Sequence, residues 1–543
     1  MTPYRTSKRQ MRKKVEKGHS DIIEFLLNPS SYPRKPRYVK HIQTHASHVF
    51  IVPPYVYKIK KPVNFGFLDF STLDKRRYYC EKEVELNSRL CDAYLGVEEI
   101  SIRNGNFIFG KGDKTIEYAV KMRKLPDRYF LKDLLSRGRV TKCDLIRIIE
   151  KLVEFYKGQV VKEEISEYGR PEGIRINIDE NFSLSERFIG KTISKAAYYA
   201  IEFYNDTFLR KKSSLFEERI KKGLIKDCHG DLHIEHINLK PQDVCIYDCI
   251  EFNERFRYID IASDIGFLAM DLDFNSHSDF ANFIVSEISK RMGDGTIFDI
   301  VDFYKCYRAY VRGKVESIRS EEAEIPDEQK QSSEERAKRY FKLALRYALF
   351  GSKPALIVVF GLIGTGKSTL AHALSDELSC RAISSDGVRK EIMGLRPTER
   401  RYEEYDKGIY SRDITEIIYR EVLNRGRRAV EEGKIVILDA SFSKREFREL
   451  VLHEAEALGI PFYFIETKAS EEHIKRRLVE REKWGKSVSD GRWEIFKRFR
   501  DEFEEPSELP KDKHLVVTTD ETLEETLTQA LSGVIEGENK CVS

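Results

Sequence analysis

Cysteine is scarce: there are 9 in 543 residues, none forms a Cys-x-x-Cys pair, and the odd total leaves at least one unpaired. This excludes a disulfide-stapled scaffold, and Cys245 and Cys249, the closest two, are too loosely spaced for a redox motif. The cysteines read as small buried hydrophobes in a reducing cytoplasm. No stretch approaches the roughly 18 apolar residues of a membrane span. The chain starts with a basic arm (Arg5, Lys8, Arg9, Arg12, Lys13, Lys14, Lys17), but no apolar run follows it, which argues against a secretory signal. The arm reads as solvated, with a nucleic-acid tether as the sharper alternative. Charge of one sign is lacking too: 94 Lys and Arg stand against 90 Asp and Glu, a net charge of +4, so no global field advertises DNA or an anionic membrane. There is no internal repeat. What is present is 41% hydrophobic residues, enough for folded cores, and 34% charged residues, which imply long solvated faces. The length suits three or four compact units, or two large ones.

The pattern along the chain has two parts and a join. HASHVFIVPPYVYKIK (45–60) alternates like two strands around a Pro53-Pro54 turn, and DKRRYYCEKEVELNSRL (74–90) reads as a charged amphipathic helix. Strands return at FIFG and IEYAVKMRKL, and from about residue 127 the pattern is mostly helical. The polar stretch 317–340 is the best linker candidate, with a helix running on to about 350. From Lys353-Pro354 onward strands and helices alternate, the signature of a parallel sheet covered on both faces.

The strongest motif is Gly361-Leu-Ile-Gly364-Thr365-Gly366-Lys367-Ser368-Thr369, which fits G-x-x-x-x-G-K-[ST] between an apolar strand and a helix. The glycines let successive backbone N–H groups face phosphate oxygens, and the helix adds its positive end. Lys367 is expected at the β and γ phosphates and the Ser368 hydroxyl at Mg²⁺. Asp386 ends the strand RAISSD, placed to accept a proton from a substrate hydroxyl, with Arg389 one helical turn on to hold an anionic acceptor or support that Asp. The competing reading makes Asp386 a helix N-cap. KIVILD ends at Asp439, a candidate for the magnesium shell or an ordinary turn residue. Arg476, Arg477 and Arg481 share a helix before a Trp-Gly-Lys-Ser loop, and read as lid arginines or as a solvated basic face.

Residues 353–510 resemble the small P-loop kinases that phosphorylate hydroxyl groups: polynucleotide 5′-kinase, gluconate kinase and zeta-toxin-type kinases. The Asp386-x-x-Arg389 pair looks like the acceptor-binding pair of the polynucleotide kinase group. The run Arg476-Arg477, Arg481, Ser489-Asp490 is similar to the lid of the wider group. The arginine finger and sensor architecture of a ring-forming ATPase are absent, which discounts a motor.

A second constellation is His229-Gly230-Asp231-Leu-His233-Ile-Glu-His236-Ile-Asn238, followed by the strand VCIYD ending at Asp248. Three histidines within eight residues invite a zinc reading. The carboxylates offer a better one: an Asp in a tight loop orients and deprotonates a hydroxyl, and a strand-end carboxylate chelates Mg²⁺ between phosphates. This segment looks like the core of aminoglycoside-phosphotransferase-type kinases, which share the protein-kinase fold. The resemblance implies Asp231 as the catalytic residue and Asp248 as a metal ligand. It also implies Lys58, with Lys60 as rival, at the phosphates, and Glu83, with Glu81 as rival, pairing with that lysine. EYAVKMRKL resembles the adenine hinge, and Asp260 and Asp264 a helix start that buttresses the catalytic loop, Asp264 being read foremost as structural capping. Two departures stand out. The family's magnesium-binding Asn position is His236 here, so that Asn238 reaches in from two residues later or Asp248 alone holds the metal. A Gly-rich roof loop is missing as well, and His45-Ala-Ser47-His48 stands there, with Ser47 left to meet a phosphate.

The expected protein is thus cytoplasmic and has two domains: an α+β protein-kinase-like, aminoglycoside-phosphotransferase-like domain over 1–320, a helical linker over 321–352, and an α/β P-loop NTPase kinase domain with a parallel sheet over 353–543. The whole resembles bacterial fusion proteins of that composition, often described as AAA-family ATPases. Both halves would use ATP and Mg²⁺ to phosphorylate a small-molecule or nucleic-acid hydroxyl. Three alternatives remain open. In the first, the N-terminal half is a pseudokinase regulator or substrate-binding module. In the second, the acceptor is nucleic acid tracked by the basic arm with Arg396, Arg400 and Arg401. In the third, the chain is a non-enzymatic ATP-gated interaction module.

Overall fold

The computed structural model describes residues 20–323, 325–396, 399, 408–484 and 491–541. The basic arm, Arg400, Arg401 and Ser489-Asp490 lie outside the described residues. The chain forms two compact units, each built from two stretches: Met1–Gly173 with Leu215–Phe298, and Ile174–Ser214 with Asp299–Ser543.

The first unit holds a six-stranded antiparallel sheet in the order β1-β2-β3-β6-β4-β5. Its strands are β1 (Lys40–Gln43), β2 (Ser47–Val52), β3 (Tyr55–Lys60), β4 (Tyr94–Arg103), β5 (Asn106–Phe109) and β6 (Lys114–Arg123). The strands expected at 45–60, FIFG and IEYAVKMRKL are all present. Period-two alternation in β3 places Tyr57 and Ile59 in an apolar cluster with Leu26, Phe50 and Ile100, and Lys58 and Lys60 on the opposite face. Helix α1 (Leu73–Asn87) is capped by the Thr72 hydroxyl, which accepts from the Lys75 N–H. It buries Arg76, Cys80, Glu83 and Asn87 at helical spacing, so its inward face is partly charged. Further on, β7 (Ile237–Lys240) and β8 (Asp243–Ile246) form a hairpin, and helix α2 (Ile261–Phe274) is buried through most of its length.

Cysteine requires a correction. Cys91 and Cys245, 154 positions apart, are joined in a disulfide rather than serving as free hydrophobes. The Ile246 N–H donates to the Leu90 carbonyl, which brings the two chain segments side by side, a proximity that sequence spacing does not reveal. Cys80, Cys228, Cys249 and Cys306 are free and buried.

The second unit contains five parallel strands in the order β10-β11-β9-β12-β13: β9 (Ala355–Phe360), β10 (Arg381–Ser384), β11 (Ile435–Asp439), β12 (Phe462–Lys468) and β13 (His514–Thr518). This is the P-loop NTPase-type parallel sheet that the alternation predicts. Every residue of β9 and β11 is buried, as strands covered on both faces require. Asp439 lies in register with Val359 on one side and Ser384 on the other, so three strand ends converge where such sheets bind ligands.

The polar stretch expected as a linker continues into helix α3 (Asp327–Phe350), which belongs to the compact second unit. It buries Ala337, Tyr340, Phe341, Ala344, Leu345 and Ala348 along one side, and the Phe341 ring meets Tyr310 edge-on at 5.1 Å. The compact units therefore divide the chain elsewhere than at the composition shift near residue 320. Among the described residues no helix is long and apolar enough to cross a membrane.

Candidate active sites

In the second unit β9 leads through the glycine loop into α4 (Lys367–Leu378). Gly361 has φ +137°, and a Cβ there would lie 2.6 Å from the Thr467 carbonyl oxygen, so only glycine fits. Gly364 and Gly366 also have positive φ, at 79° and 87°. The loop is pinned from behind. Thr365 Oγ1 donates to the Leu362 carbonyl at 2.7 Å and pairs with Thr467 Oγ1 at 2.7 Å, while Thr519 Oγ1 donates to the Thr365 carbonyl at 2.8 Å.

A cavity of about 760 Å³ opens beside this loop. Gly364, Gly366, Lys367, Ser368 and Thr369 line one side of it, and Asp386, Arg389, Asp439 and Arg481 also face it. Lys367 donates to the Leu362 carbonyl at 2.8 Å. Burial lowers its pKa, against the pull of Asp439 and Asp386. Burial raises the pKa of Asp439, although the Ser368 hydroxyl and Lys367 oppose this. Ser368 and Asp439 thus pair a hydroxyl with a carboxylate, the hard oxygen donors that magnesium prefers.

Helix α5 (Ser385–Ile392) begins at the end of β10. Its N-cap is Ser384, whose side chain accepts from the Gly387 N–H, so the capping role considered for Asp386 falls to another residue. Arg389 is 4% exposed. Its Nη1 donates to the Ile409 carbonyl at 2.6 Å, its guanidinium lies over Tyr410, and its buried Nε has no hydrogen-bond partner among the described residues.

The three arginines expected on a lid, on helix α6 (Glu471–Trp484), separate by environment. Arg481 lines the cavity, Arg476 is exposed, and Arg477 donates to Thr519 Oγ1 at 2.8 Å and to the Thr519 carbonyl. Since Thr519 holds Thr365, Arg477 in this structure braces the phosphate loop.

In the first unit, Lys58 Nζ lies 2.9 Å from Glu83 Oε1 and 2.8 Å from Asp248 Oδ1. The structure gives the rival lysine a different place: Lys60 Nζ reaches Glu83 Oε2 at 2.8 Å and also pairs with Glu251. Glu83 is fully buried and serves both lysines, while Glu81 pairs outward with Arg77. Burial opposes every charge here, yet the opposite charges win for four of them, Lys60 being raised by Glu251 and Glu83. Lys58 is raised by Asp248 and Glu83, Glu83 is lowered by Lys58 and Lys60, and Asp248 is held below the usual carboxylate range by Lys58 and His236. Asp248 itself sits at φ +63°, a strained left-handed conformation for a residue with a side chain.

The H-G-D loop is held by α2. Asp264 accepts from the His229 N–H and the Gly230 N–H at 2.9 Å each, and from the Tyr156 hydroxyl at 2.9 Å. Asp260 caps α2 through the Ala262 N–H and takes a two-pronged bond from the buried Arg219 guanidinium. The capping role read foremost for Asp264 thus falls to Asp260, while Asp264 buttresses the loop. His229 Nε2 faces the Tyr247 carbonyl at 3.0 Å, and burial lowers its pKa. His236 Nδ1 lies 2.9 Å from the Asp231 carbonyl, its Nε2 lies 3.6 Å from Asp248 Oδ2, and burial, reinforced by His233, pushes it down to about 4. Asp231 Oδ2 lies 3.5 Å from His236 and 3.6 Å from His233.

Asn238 does not join them. It is fully buried in β7, its Nδ2 donates to the Pro126 carbonyl at 3.1 Å, and its buried Oδ1 has no hydrogen-bond partner among the described residues. Ser47, considered for the roof, is 4% exposed, and its N–H is taken by Thr44 Oγ1.

Sequence reasoning missed Glu251, which holds Lys60, and Thr467 and Thr519, which brace the glycine loop. The signal for Glu251 was an acidic residue inside the apolar run CIEF. The two threonines follow the cores of β12 and β13 and carried no signal of their own.

Three comparisons bear on these sites. Residues 356–506 match the family model described as an AAA domain. Two solved structures resemble the chain at 18% identity each. A gluconokinase from Sinorhizobium meliloti 1021 covers 35% of this chain and 97% of its own, with a TM-score of 0.26. The Mycobacterium tuberculosis APS kinase CysC, in complex with AMPPNP and APS, covers 33% and 97%, with a TM-score of 0.24. An uncharacterised protein of Mycobacterium tuberculosis is 31% identical over 407 residues, which span 75% of this chain and 79% of that protein. With that extent of identity, the chain belongs to the same family as the mycobacterial protein, and its residues 356–506 carry a P-loop domain of the AAA description.

Proposed function

We propose that the chain is an ATP-dependent phosphotransferase that passes the γ-phosphate of ATP to a hydroxyl of a small molecule or nucleic acid. One observation carries this reading: Lys367, Ser368, Asp386, Asp439 and Arg481 all line a single cavity of about 760 Å³. ATP enters with its phosphates along the glycine loop. Lys367 meets the β and γ oxygens, Asp386 accepts the proton of the acceptor hydroxyl, and the buried Arg389 holds an anionic part of the acceptor. Arg481 balances charge on the transferring group, so catalysis is mostly positioning and electrostatics. Ser368 and Asp439 fit a magnesium ion, which when bound neutralises charge between the phosphates.

We assign the first unit a second, protein-kinase-like site of the aminoglycoside-phosphotransferase type. The Lys58–Glu83 pair supports this, with Asp231 on a loop held by Asp264 and Asp248 opposite it. Lys58 would meet phosphate and Asp231 the acceptor hydroxyl. The regulator reading draws on a different observation, the engagement of the Asn238 amide with Pro126 in place of a metal. The test is the full chain incubated with γ-labelled ATP and metabolite or RNA extracts. Lys367→Ala is expected to cut labelling through the second unit by about 10²–10³-fold, and Asp231→Ala to remove a separate set of labelled products. Unchanged labelling in Lys367→Ala would reject the P-loop assignment, and unchanged products in Asp231→Ala would leave the first unit a regulator.

A further inference from the structure

His236 occupies the place where the resembling kinases carry an amide ligand, and its hydrogen bonding determines which ring nitrogen faces the site. Nδ1 lies 2.9 Å from the Asp231 carbonyl oxygen. A carbonyl only accepts, so Nδ1 carries the proton. In the neutral ring Nε2 then presents a lone pair, and it points at Asp248 Oδ2, 3.6 Å away. A lone pair and a carboxylate oxygen at that separation repel each other unless a cation lies between them. A metal ion about 2.0–2.2 Å from each atom spans such a gap.

The surroundings agree with a bound cation. Asp248 uses Oδ1 on Lys58 and leaves Oδ2 toward the imidazole. Asp231 Oδ2 lies 3.5 Å from His236 Nδ1, on the protonated side of the ring, and remains with the acceptor hydroxyl. His233 Nδ1 accepts the Glu235 N–H, which puts its proton on Nε2, the nitrogen facing Asp231 Oδ2 at 3.6 Å. His233 therefore orients Asp231 rather than competing for the ion. In formal charge, Lys58 and Lys60 are outnumbered by Glu83, Asp248, Glu251 and Asp231, an excess that suits a divalent ion.

We propose that His236 Nε2 and Asp248 Oδ2 hold a divalent transition-metal ion of the Mn²⁺, Co²⁺ or Zn²⁺ type, in preference to Mg²⁺. Imidazole nitrogen is a good ligand for these ions and a poor one for magnesium, which demands oxygen. The Asn238 amide, turned to Pro126, offers no substitute oxygen. This inference rests on reading the first unit as a phosphotransfer site, and it gives that unit a different metal preference from the oxygen-only pair Ser368 and Asp439.

The test is pulsed electron paramagnetic resonance on the full chain loaded with Mn²⁺ in the absence of nucleotide. The expected result is nitrogen coupling from one imidazole, lost in His236→Asn and in His236→Gln but kept in His372→Asn, which controls for the histidine near Asp439. Mn²⁺ affinity should fall at least about tenfold in His236→Asn, while Mg²⁺ competes better in that variant than in the wild type. Mn²⁺ bound without nitrogen coupling, or Mg²⁺ competition identical in wild type and variant, overturns the proposal. Label transfer by the first unit with Mg²⁺ and no nitrogen coupling would reject this metal assignment and leave the phosphotransfer reading standing. Nitrogen coupling without any transfer would uphold the metal site and reject that reading.

Discussion

Asp386 and Asp264 are both acidic and both sit near the start of a helix, yet their partners assign them different work. Asp386 faces the cavity, and Ser384 takes the cap beside it. Asp386→Asn is therefore expected to leave ATP affinity nearly unchanged while cutting transfer by about 10²–10⁴-fold, the usual contribution of a positioned base. Equal loss of affinity and transfer would make Asp386 structural. Asp264 satisfies the buried N–H groups of His229 and Gly230. Asp264→Ala strands both, at about 1–3 kcal/mol each, and should lower the denaturation midpoint and abolish first-unit transfer. A midpoint equal to wild type would contradict the buttress. The P-loop residues were legible because their motif is local: Gly361 to Thr369 specify a turn and a donor set within one short run. The charge cluster of the first unit was legible only in part. Lys58 and Asp248 are 190 positions apart, and nothing local states that Glu83 would serve two lysines or that Glu251 would return to Lys60.

At the scale of elements, the strands were easier to read than the helices. β2 and β3 follow from alternation, and β9 and β11 from unbroken apolar runs, because a sheet shows its face in two residues. Helix α3 was harder: its charge density suggested a spacer, while the apolar positions from Ala337 to Ala348 recur every three or four residues and bury one side. Phe341 is 1% exposed and packs edge-on against Tyr310. Phe341→Ala should cost about 3–5 kcal/mol in denaturant unfolding, whereas a solvated spacer helix would lose less than about 0.5 kcal/mol. The Cys91–Cys245 pairing escaped the sequence for the same reason as Glu251. It depends on a backbone bond between chain segments far apart in sequence.

For the whole molecule, the central claim is that two compact units each bind one ATP, the second through the Lys367 loop and the first through Lys58 and its partners. The resemblance to a P-loop kinase is met in the second unit by the parallel sheet and the AAA-domain match. The kinase reading of the first unit is a proposal that draws on its lysine–glutamate pair and H-G-D loop. Titration calorimetry of the full chain with a non-hydrolysable ATP analogue and divalent metal tests this most directly. Two nucleotides per chain are expected, with Lys367→Ala losing one and Lys58→Met losing the other. A single nucleotide per chain, erased entirely by Lys367→Ala, would contradict the account.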